Sequence, residues 1–473
     1  MSNLKNIVDV TLANVFTLIG GVLVGFLLPK FISVEGYGYY KVFSLYAPYL
    51  TLLNLGLIDG IVLKYGDKDY SELNRESFRT YFKCYVLIHV FFLSVLIPLT
   101  LIFFRGDYKF IFFALEFNLI VVNITGYLQL ISQFTQRFKE FTKRKIVQAL
   151  FNILAILIIG TVFIVEHKEV SYKLYIILFI LFNTILMFWY CYTYRDIIFG
   201  KALSIRTCYS ECCEFVKQGF PLVFSYQIAT FILSLDRVFV NILFPTTTYA
   251  TYSFAYSMMA LVTTATSAVA AVAFPMFKRM DKNILLSKYN EYISLMLIVV
   301  FGLISVYYPL SIFIKWFLPA YSSSIYIFRI ILPGIAISSS ITALMHNYYK
   351  VLNMNISYFK KCLLVLFISG IANCLAYLVF HSTQSISIAS IITMIIWFAV
   401  IESRINREIK KIDIKHHFYI CGMLIVFYTV SIINNEYIGF LLYIIAYLFL
   451  TFLLYKELII TSVNGRIVKS RDK

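Results

Sequence analysis

Apolar runs of membrane-spanning length recur from Val10 almost to the end of the chain, separated by short polar segments. A bilayer core asks for about 20 consecutive apolar residues per helix. Fourteen runs approach that length, at about 10–29, 42–63, 84–104, 110–132, 146–165, 174–194, 218–243, 251–275, 291–314, 324–346, 362–380, 386–402, 418–433 and 438–455. The pattern predicts an all-α polytopic membrane protein of about 14 transmembrane helices. The first run is too long for the apolar core of a signal peptide, and no small-residue cleavage pattern follows it, so it is expected to stay in the protein. The connecting segments leave no room for a soluble catalytic domain, and whatever the chain does is expected to happen among its membrane helices.

A short internal repeat suggests how these helices are grouped. Gly38-Tyr39-Tyr40-Lys41-Val42-Phe43-Ser44 opens the second run, and Ala250-Thr251-Tyr252-Ser253-Phe254-Ala255-Tyr256 opens the eighth. Each follows a proline at the end of the preceding run, Pro29 and Pro245. Six runs separate the copies, an even number, so both have the same orientation and form a parallel repeat. The expected domains are a six-helix lobe over residues 1–200, a second over 210–402, and an extra helix pair with a cytoplasmic tail over 403–473.

Composition agrees with the pattern: 60% of the residues are hydrophobic and only 14% charged. The net charge of +17 is distributed by topology. Most Lys and Arg fall in alternate connections, including 64–83, 137–145, 195–217, 278–288 and 404–415. The opposite side has only Lys30, Lys41, Arg105, Lys109, Lys168, Lys173 and Lys315. The positive-inside rule then puts both termini in the cytoplasm. Anionic lipid accounts for the remaining positive surface, so no nucleic-acid partner is required. The eight cysteines suggest neither a disulfide framework nor a metal site. Cys208, Cys212 and Cys213 cluster in a cytoplasmic segment without a nearby histidine, and the stretch from Tyr209 to Lys217 would lie amphipathically on the inner surface.

The candidate chemistry is polar residues inside apolar runs. In the seventh run Gln227, Thr230, Ser234, Arg237 and Asn241 recur at helical spacing and share one face. A buried arginine costs about 2.5–3.5 kcal/mol on insertion scales, so such a stripe should face protein or water. Arg237 is either a cavity cation that grips phosphate or a residue that snorkels to the interface. Asp236 lies off the stripe, placed for a partner on another helix or for proton coupling. In the tenth run Arg329 and Ser340 share a face with Asn347, and Pro333-Gly334 should kink the helix. In the first run Asn14 and Thr17 either line a gate or pack, and Gly21-x-x-x-Gly25 invites close helix approach. Asp59 and Lys64 are placed for an interfacial pair at the end of the second run, and Glu116 is the acid within the fourth. No nucleophile elbow, metalloprotease motif or phosphate-binding loop occurs. The chain is not expected to be an enzyme or to carry a cofactor.

Two groups of residues carry a resemblance. Leu27-Leu28-Pro29 to Glu35-Gly36-Tyr37-Gly38-Tyr39-Tyr40, followed by Leu55-Gly56-Leu57-Ile58-Asp59-Gly60, resembles the opening of Wzx-type polysaccharide flippases. Ser234-Leu235-Asp236-Arg237-Val238-Phe239-Val240, with Tyr249 to Tyr256 and Ala273-Phe274-Pro275, resembles the start of that family's second lobe. The chain departs where many relatives have a glycine before the Tyr-Ser pair and it has Ala250-Thr251. The family belongs to the multidrug/oligosaccharidyl-lipid/polysaccharide exporter superfamily. The resemblance implies two lobes around a central cavity, and transfer of an undecaprenyl-pyrophosphate-linked oligosaccharide across the bacterial plasma membrane by alternating access, for O-antigen, capsule or exopolysaccharide. Arg237 and Arg329 would neutralise the diphosphate. Gln227, Thr230, Ser234, Asn241, Ser340, Tyr252 and Asn14 would face the sugar, and Asp236, Glu116 or Asp59 would couple an ion. Membrane lipids, a polymerase and other envelope-assembly proteins are the implied partners. The alternatives are a cation-coupled multidrug antiporter, for which arginine-led stripes have the wrong sign, a membrane polymerase, which would want a large outer loop, and a scaffold.

Overall fold

A computed structural model describes the backbone of residues 2–409 and 414–471, and the side chains of residues 16–458 except 18, 226, 264–265, 267–272, 274–275 and 410–413. Every one of the fourteen apolar runs is occupied by a helix or a broken helix, and no strand occurs among the described residues. Among the described residues, eight helices are long and apolar enough to cross a membrane, and eleven are when three bent pairs each count as one span. The chain is an all-α, multi-pass membrane protein.

Exposure shows which helices meet lipid. Only 11% of the apolar window of the third span (Arg75–Phe103) is buried, against 56% in the fourth (Gly106–Phe134). Leu87, Phe91, Ile102 and Phe103 stand outward on the third span. In water they would form an adhesive patch, whereas in a bilayer they are the solvated face.

The chain packs as two compact units. The first comprises residues 1–227 and 244–250, and the second 228–243 and 251–473.

In the first unit the second span is broken. Val34–Tyr46 is α-helical, Ala47–Asn54 is a tight 3-10 helix, and Leu57–Tyr65 starts again at a bend of 56°. The break lies at Leu55 and Gly56, both left-handed with φ of 53° and 73°. Two such residues in sequence cannot continue a right-handed helix. The restart packs against the long seventh helix (Ile205–Leu243) at very close range. A Cβ on Gly219 would stand 1.9 Å from the Gly56 carbonyl oxygen, and one on Gly60 would stand 2.2 Å from that of Phe215. The Leu55-Gly56-Leu57-Ile58-Asp59-Gly60 motif is therefore a contact of backbone on backbone. Gly38 is similarly pressed against Thr246 and Ala250, the residue it matches in the repeat.

Three expectations need correction here. The stretch from Tyr209 to Lys217 is not a separate surface helix but the opening of the seventh helix: Cys212 and Phe215, with Cys208 just before them, join the first unit's core, while Tyr209, Cys213 and Lys217 stay exposed. Lys64 pairs with Glu211 rather than Asp59, and Tyr81 donates to the same carboxylate. In the first span, Gly20 rather than Gly21 faces a neighbour, 3.4 Å from the Ala149 carbonyl oxygen.

In the second unit the tenth span breaks as Pro333-Gly334 predicts, with a 46° bend between Ser324–Ile331 and Gly334–Val351. It then passes through a π-helical turn over Ser340–Met345. Tyrosine hydroxyls bind the last two spans to this unit. Tyr443 donates to the Phe301 carbonyl at 2.7 Å, Tyr447 to Ile298 at 2.9 Å and Tyr428 to Ile330 at 2.7 Å. Apolar side chains gain little by leaving lipid for a neighbouring helix, so such bonds and close packing decide where a helix docks.

The glycine contact predicts a sharp contrast. Gly60→Val should lower stability by about 3 kcal/mol or more, at or beyond the upper end of overpacking costs, because the obstacle is backbone. Gly370→Ala, where nothing lies within 4 Å, should be neutral or stabilising by about 0.5–1 kcal/mol. Thermal unfolding of the detergent-solubilised chain checks both, and equal behaviour of the two variants would refute the contact.

Candidate functional site

The break in the second span creates a polar place in an apolar unit. The Pro48 and Leu50 carbonyls of the 3-10 segment each accept a side-chain amide, Pro48 from Gln227 at 3.2 Å and Leu50 from Asn123 at 3.1 Å. Gln227 also donates to the Thr51 hydroxyl. Tyr85 donates to the Asn123 carbonyl at 3.0 Å, and Asn54 accepts from the Gly56 amide at 2.6 Å, closing the turn. Beside these groups lies a cavity of about 460 Å³. Asn54, Asn123, Gln129, Gln133, Gln148, Asn183 and Gln227 supply seven amides to its wall, with Thr51, Thr125 and Asp59. Gln148 donates to Asn183 at 2.9 Å, so these two amides orient each other. Amides hydrogen-bond as both donors and acceptors without charge. The cavity is suited to a neutral, hydroxyl-rich guest or to water.

A second polar centre lies in the second unit. Asp236 is 2% exposed and accepts three hydrogen bonds: from Tyr252 at 2.7 Å, from Tyr256, and from the Arg237 amide at 2.7 Å. Ser387 donates to the Tyr252 hydroxyl at 3.3 Å, extending the network to the twelfth span. The Arg237 guanidinium stacks over the Tyr256 ring at 4.5 Å and donates to the Leu233 carbonyl at 3.3 Å, and its buried Nε makes no hydrogen bond among the described residues. Asp236 thus connects the two motifs, Ser234–Val240 and Tyr249–Tyr256, through its partners on the next helix.

The other candidates are dispersed. Gln227 belongs to the first unit, while Thr230, Ser234, Arg237 and Asn241 belong to the second. Ser234 is buried and donates to the Thr230 carbonyl at 2.5 Å, and Asn241 is buried as well. Arg329 stacks on Tyr326 and donates to the Ser431 carbonyl at 3.4 Å, at the end of the thirteenth helix, where a cation is favoured. Ser340 is buried in the π-helical turn and donates to Ala336 at 2.7 Å. Glu116 is buried in the first unit; one oxygen accepts from Thr100 at 2.5 Å, and the other makes no hydrogen bond among the described residues. Asp59 lines the amide cavity. The Asn14 side chain lies outside the described residues.

The sequence reading missed Asn54, Gln129, Gln133, Gln148 and Asn183. A signal was present: Thr125, Gln129 and Gln133 recur every four residues along the fourth span. Without a charge among them, that stripe stood out less than the arginine-led ones.

The family model described as "Polysaccharide biosynthesis protein" matches residues 3–281. No curated protein matches the sequence. Among solved structures, the lipid II flippase MurJ in an inward closed conformation is 15% identical with a TM-score of 0.70, over 96% of this chain and 100% of that one. An inward-facing MATE-family multidrug resistance transporter is 12% identical with a TM-score of 0.59, over 84% of this chain and 95% of that one. A transporter of the MOP superfamily from Pyrococcus furiosus, noted for reversed polarity of its binding pocket, is 11% identical with a TM-score of 0.51, over 86% and 97%. At these identities the likeness is one of fold. With the family match running through the first eight spans, the chain belongs to the polysaccharide biosynthesis protein family and has the fold of the MurJ and MATE transporters.

Proposed function

We propose that this protein is a flippase that carries an undecaprenyl-pyrophosphate-linked oligosaccharide from the inner to the outer leaflet of the bacterial plasma membrane by alternating access, for surface polysaccharide synthesis, with both termini in the cytoplasm. The observation that carries the reading is the amide-walled cavity of about 460 Å³ within a unit of membrane helices. Polar side chains are costly in a bilayer and are retained where they face water or a polar guest. A sugar is such a guest, and the family and fold supply the lipid-linked context. A drug antiporter would be served by an apolar or acidic cavity; seven neutral amides favour carbohydrate.

Arg237 is the residue we assign to the diphosphate. Its guanidinium is held flat on Tyr256 and retains a buried Nε that makes no hydrogen bond among the described residues, and a planar fork of donors suits phosphate oxygens. Arg329 is already occupied at a helix end, and a diphosphate would have to draw it away from Ser431. Asp236, with three donors, acts chiefly as a brace for the motif that bears Arg237. The polymerase and other envelope-assembly proteins remain the partners we propose for the product.

The deciding experiment is deletion of the gene in its own host, followed by assay of the leaflet that holds the lipid-linked oligosaccharide. Accumulation on the cytoplasmic leaflet, reversed by the intact gene, is expected. Accumulation of unpolymerised units on the outer leaflet would overturn the reading in favour of a polymerase or a later partner. Arg237→Ala should insert normally and reduce export at least tenfold, about 1.4 kcal/mol; normal export would remove Arg237 from the site. Asp236→Asn should mainly lower the yield of folded protein, since hydrogen bonds to a charged group are worth about 1.5–3 kcal/mol each. Full yield with lost export would instead give Asp236 a coupling role.

A further inference from the structure

The third span has two unlike sides near its first turns. On one, Tyr85 donates to the Asn123 carbonyl and lines the amide cavity. On the other, Arg75, Arg79 and Lys83 follow at intervals of four residues, so that each is the neighbour of the next along one ridge of the helix. Leu87 continues the ridge, and there an apolar groove of about 450 Å³ opens. Lys83, Val86 and Leu87 line it together with Ile198, Phe199 and Ile205.

The wall opposite the third span is held in place. After the short helix Arg195–Ile198 the backbone turns at Gly200, whose φ is 117°. Arg79 donates through Nε to the Asp196 carbonyl at 2.9 Å and through Nη1 to the Lys201 carbonyl at 2.8 Å. A Cβ on Gly200 would stand 2.9 Å from the guanidinium carbon of Arg79, so glycine lets this segment lie against the guanidinium. The buried Thr80 hydroxyl lies 3.1 Å from the Leu203 carbonyl. These contacts fix the segment that presents Phe199 and Ile205 to the third span, and the groove is formed before anything enters it.

Two cationic donors are left over beside it. Among the described residues, Arg79 Nη2 makes no hydrogen bond, and Lys83 makes neither a hydrogen bond nor an ion pair. The Asp196 carboxylate is engaged by the Tyr70 hydroxyl at 2.6 Å and by Arg75 at 3.4 Å. Leu87 is 51% exposed and Phe199 65%, so the groove opens to the lipid side of the unit. Cationic donors with an apolar groove one turn further along call for an amphiphile. A soluble phosphate would use the donors and leave the groove uncovered. A zwitterionic lipid would bring its own ammonium towards Lys83. An anionic phospholipid meets both needs: its phosphate accepts from Lys and Arg, and its chain covers the apolar wall. Because the groove lies on the side of the third span away from the amide cavity, its occupant is a resident lipid rather than a cargo.

We propose that this groove binds an anionic phospholipid, with the phosphate held by Lys83 and Arg79 Nη2 and one acyl chain lying along Val86, Leu87, Phe199 and Ile205. Such a lipid joins the third span to the segment around Gly200 and braces the helix whose other side carries Tyr85. The site goes beyond the transport reading and does not depend on it.

Native mass spectrometry of the detergent-purified full-length chain tests the site, in separate titrations with dioleoyl phosphatidylglycerol and dioleoyl phosphatidylethanolamine. The wild type should retain the anionic lipid at least about tenfold more strongly. Lys83→Glu should weaken that retention about fivefold or more. Lys282→Glu, the same change of charge on an exposed lysine of the second unit, should leave it unchanged, which separates a site from a diffuse basic surface. Phe199→Ala, which removes part of the wall, should weaken retention as well. Soluble glycerol 3-phosphate, which has the head-group chemistry without the chains, should not compete. Equal retention of the two lipids, wild-type retention by Lys83→Glu, equal losses in the two charge variants, or full competition by glycerol 3-phosphate would each overturn the proposal. Should Lys83→Glu fail to fold, Lys83→Met keeps the apolar stem without the charge, and the same loss is expected of it.

Discussion

A helix that breaks inside a bilayer exposes backbone groups that lipid cannot satisfy, and the first unit is arranged around one such break. The chain must supply the missing partners from side chains, and these must be polar. Asn123 reaches the Leu50 carbonyl, Gln227 reaches Pro48, and Asn54 closes the turn on Gly56. Once these amides occupy the interior, the surrounding wall is polar and no longer hydrocarbon-like. The cavity follows from the break. A continuous second span would need none of these groups and would leave an apolar seam.

The break also explains the glycines. A left-handed turn at Leu55-Gly56 leaves the restarted helix where it can be held only by direct contact with the seventh helix, and Gly56, Gly60 and Gly219 let the two backbones touch. In the second unit the same difficulty is met with charge and hydroxyls: Asp236 binds its own helix to the next through Tyr252 and Tyr256. The two stretches that carry the family resemblance are therefore two solutions to helix docking in lipid. One removes side chains so that backbones meet, and the other buries a carboxylate and satisfies it fully.

The sequence disclosed much of this at the level of elements, because a span is set by length and hydropathy alone. All fourteen runs became helices, and Pro333-Gly334 announced its bend. Leu55 gave no warning, since leucine favours helices and its left-handed backbone is imposed by the packing of Gly56 and Gly60. Lys64 was matched to Asp59 by proximity along the chain, but its partner Glu211 lies far away in sequence and becomes a neighbour only through the glycine contact. The same limit hid the cavity: Gln148, Asn183 and Asn54 come from three spans, and no spacing rule joins them. Periodicity reports a face of one helix, while a site is made of several.

The contrast between the two polar centres bears on the kind of cargo. Among the described residues, the first unit offers many neutral donors and acceptors and one lining carboxylate, and the second offers a guanidinium held flat against an aromatic ring. A small lipophilic drug needs neither many amides nor a phosphate-shaped cation. The cargo we propose has parts of both kinds, a diphosphate and a hydroxyl-rich body, which differ in charge. Neutral amides hold hydroxyls weakly and reversibly, since each bond formed replaces one to water and the net gain is small. That weakness suits transport, where a guest bound too tightly would not leave.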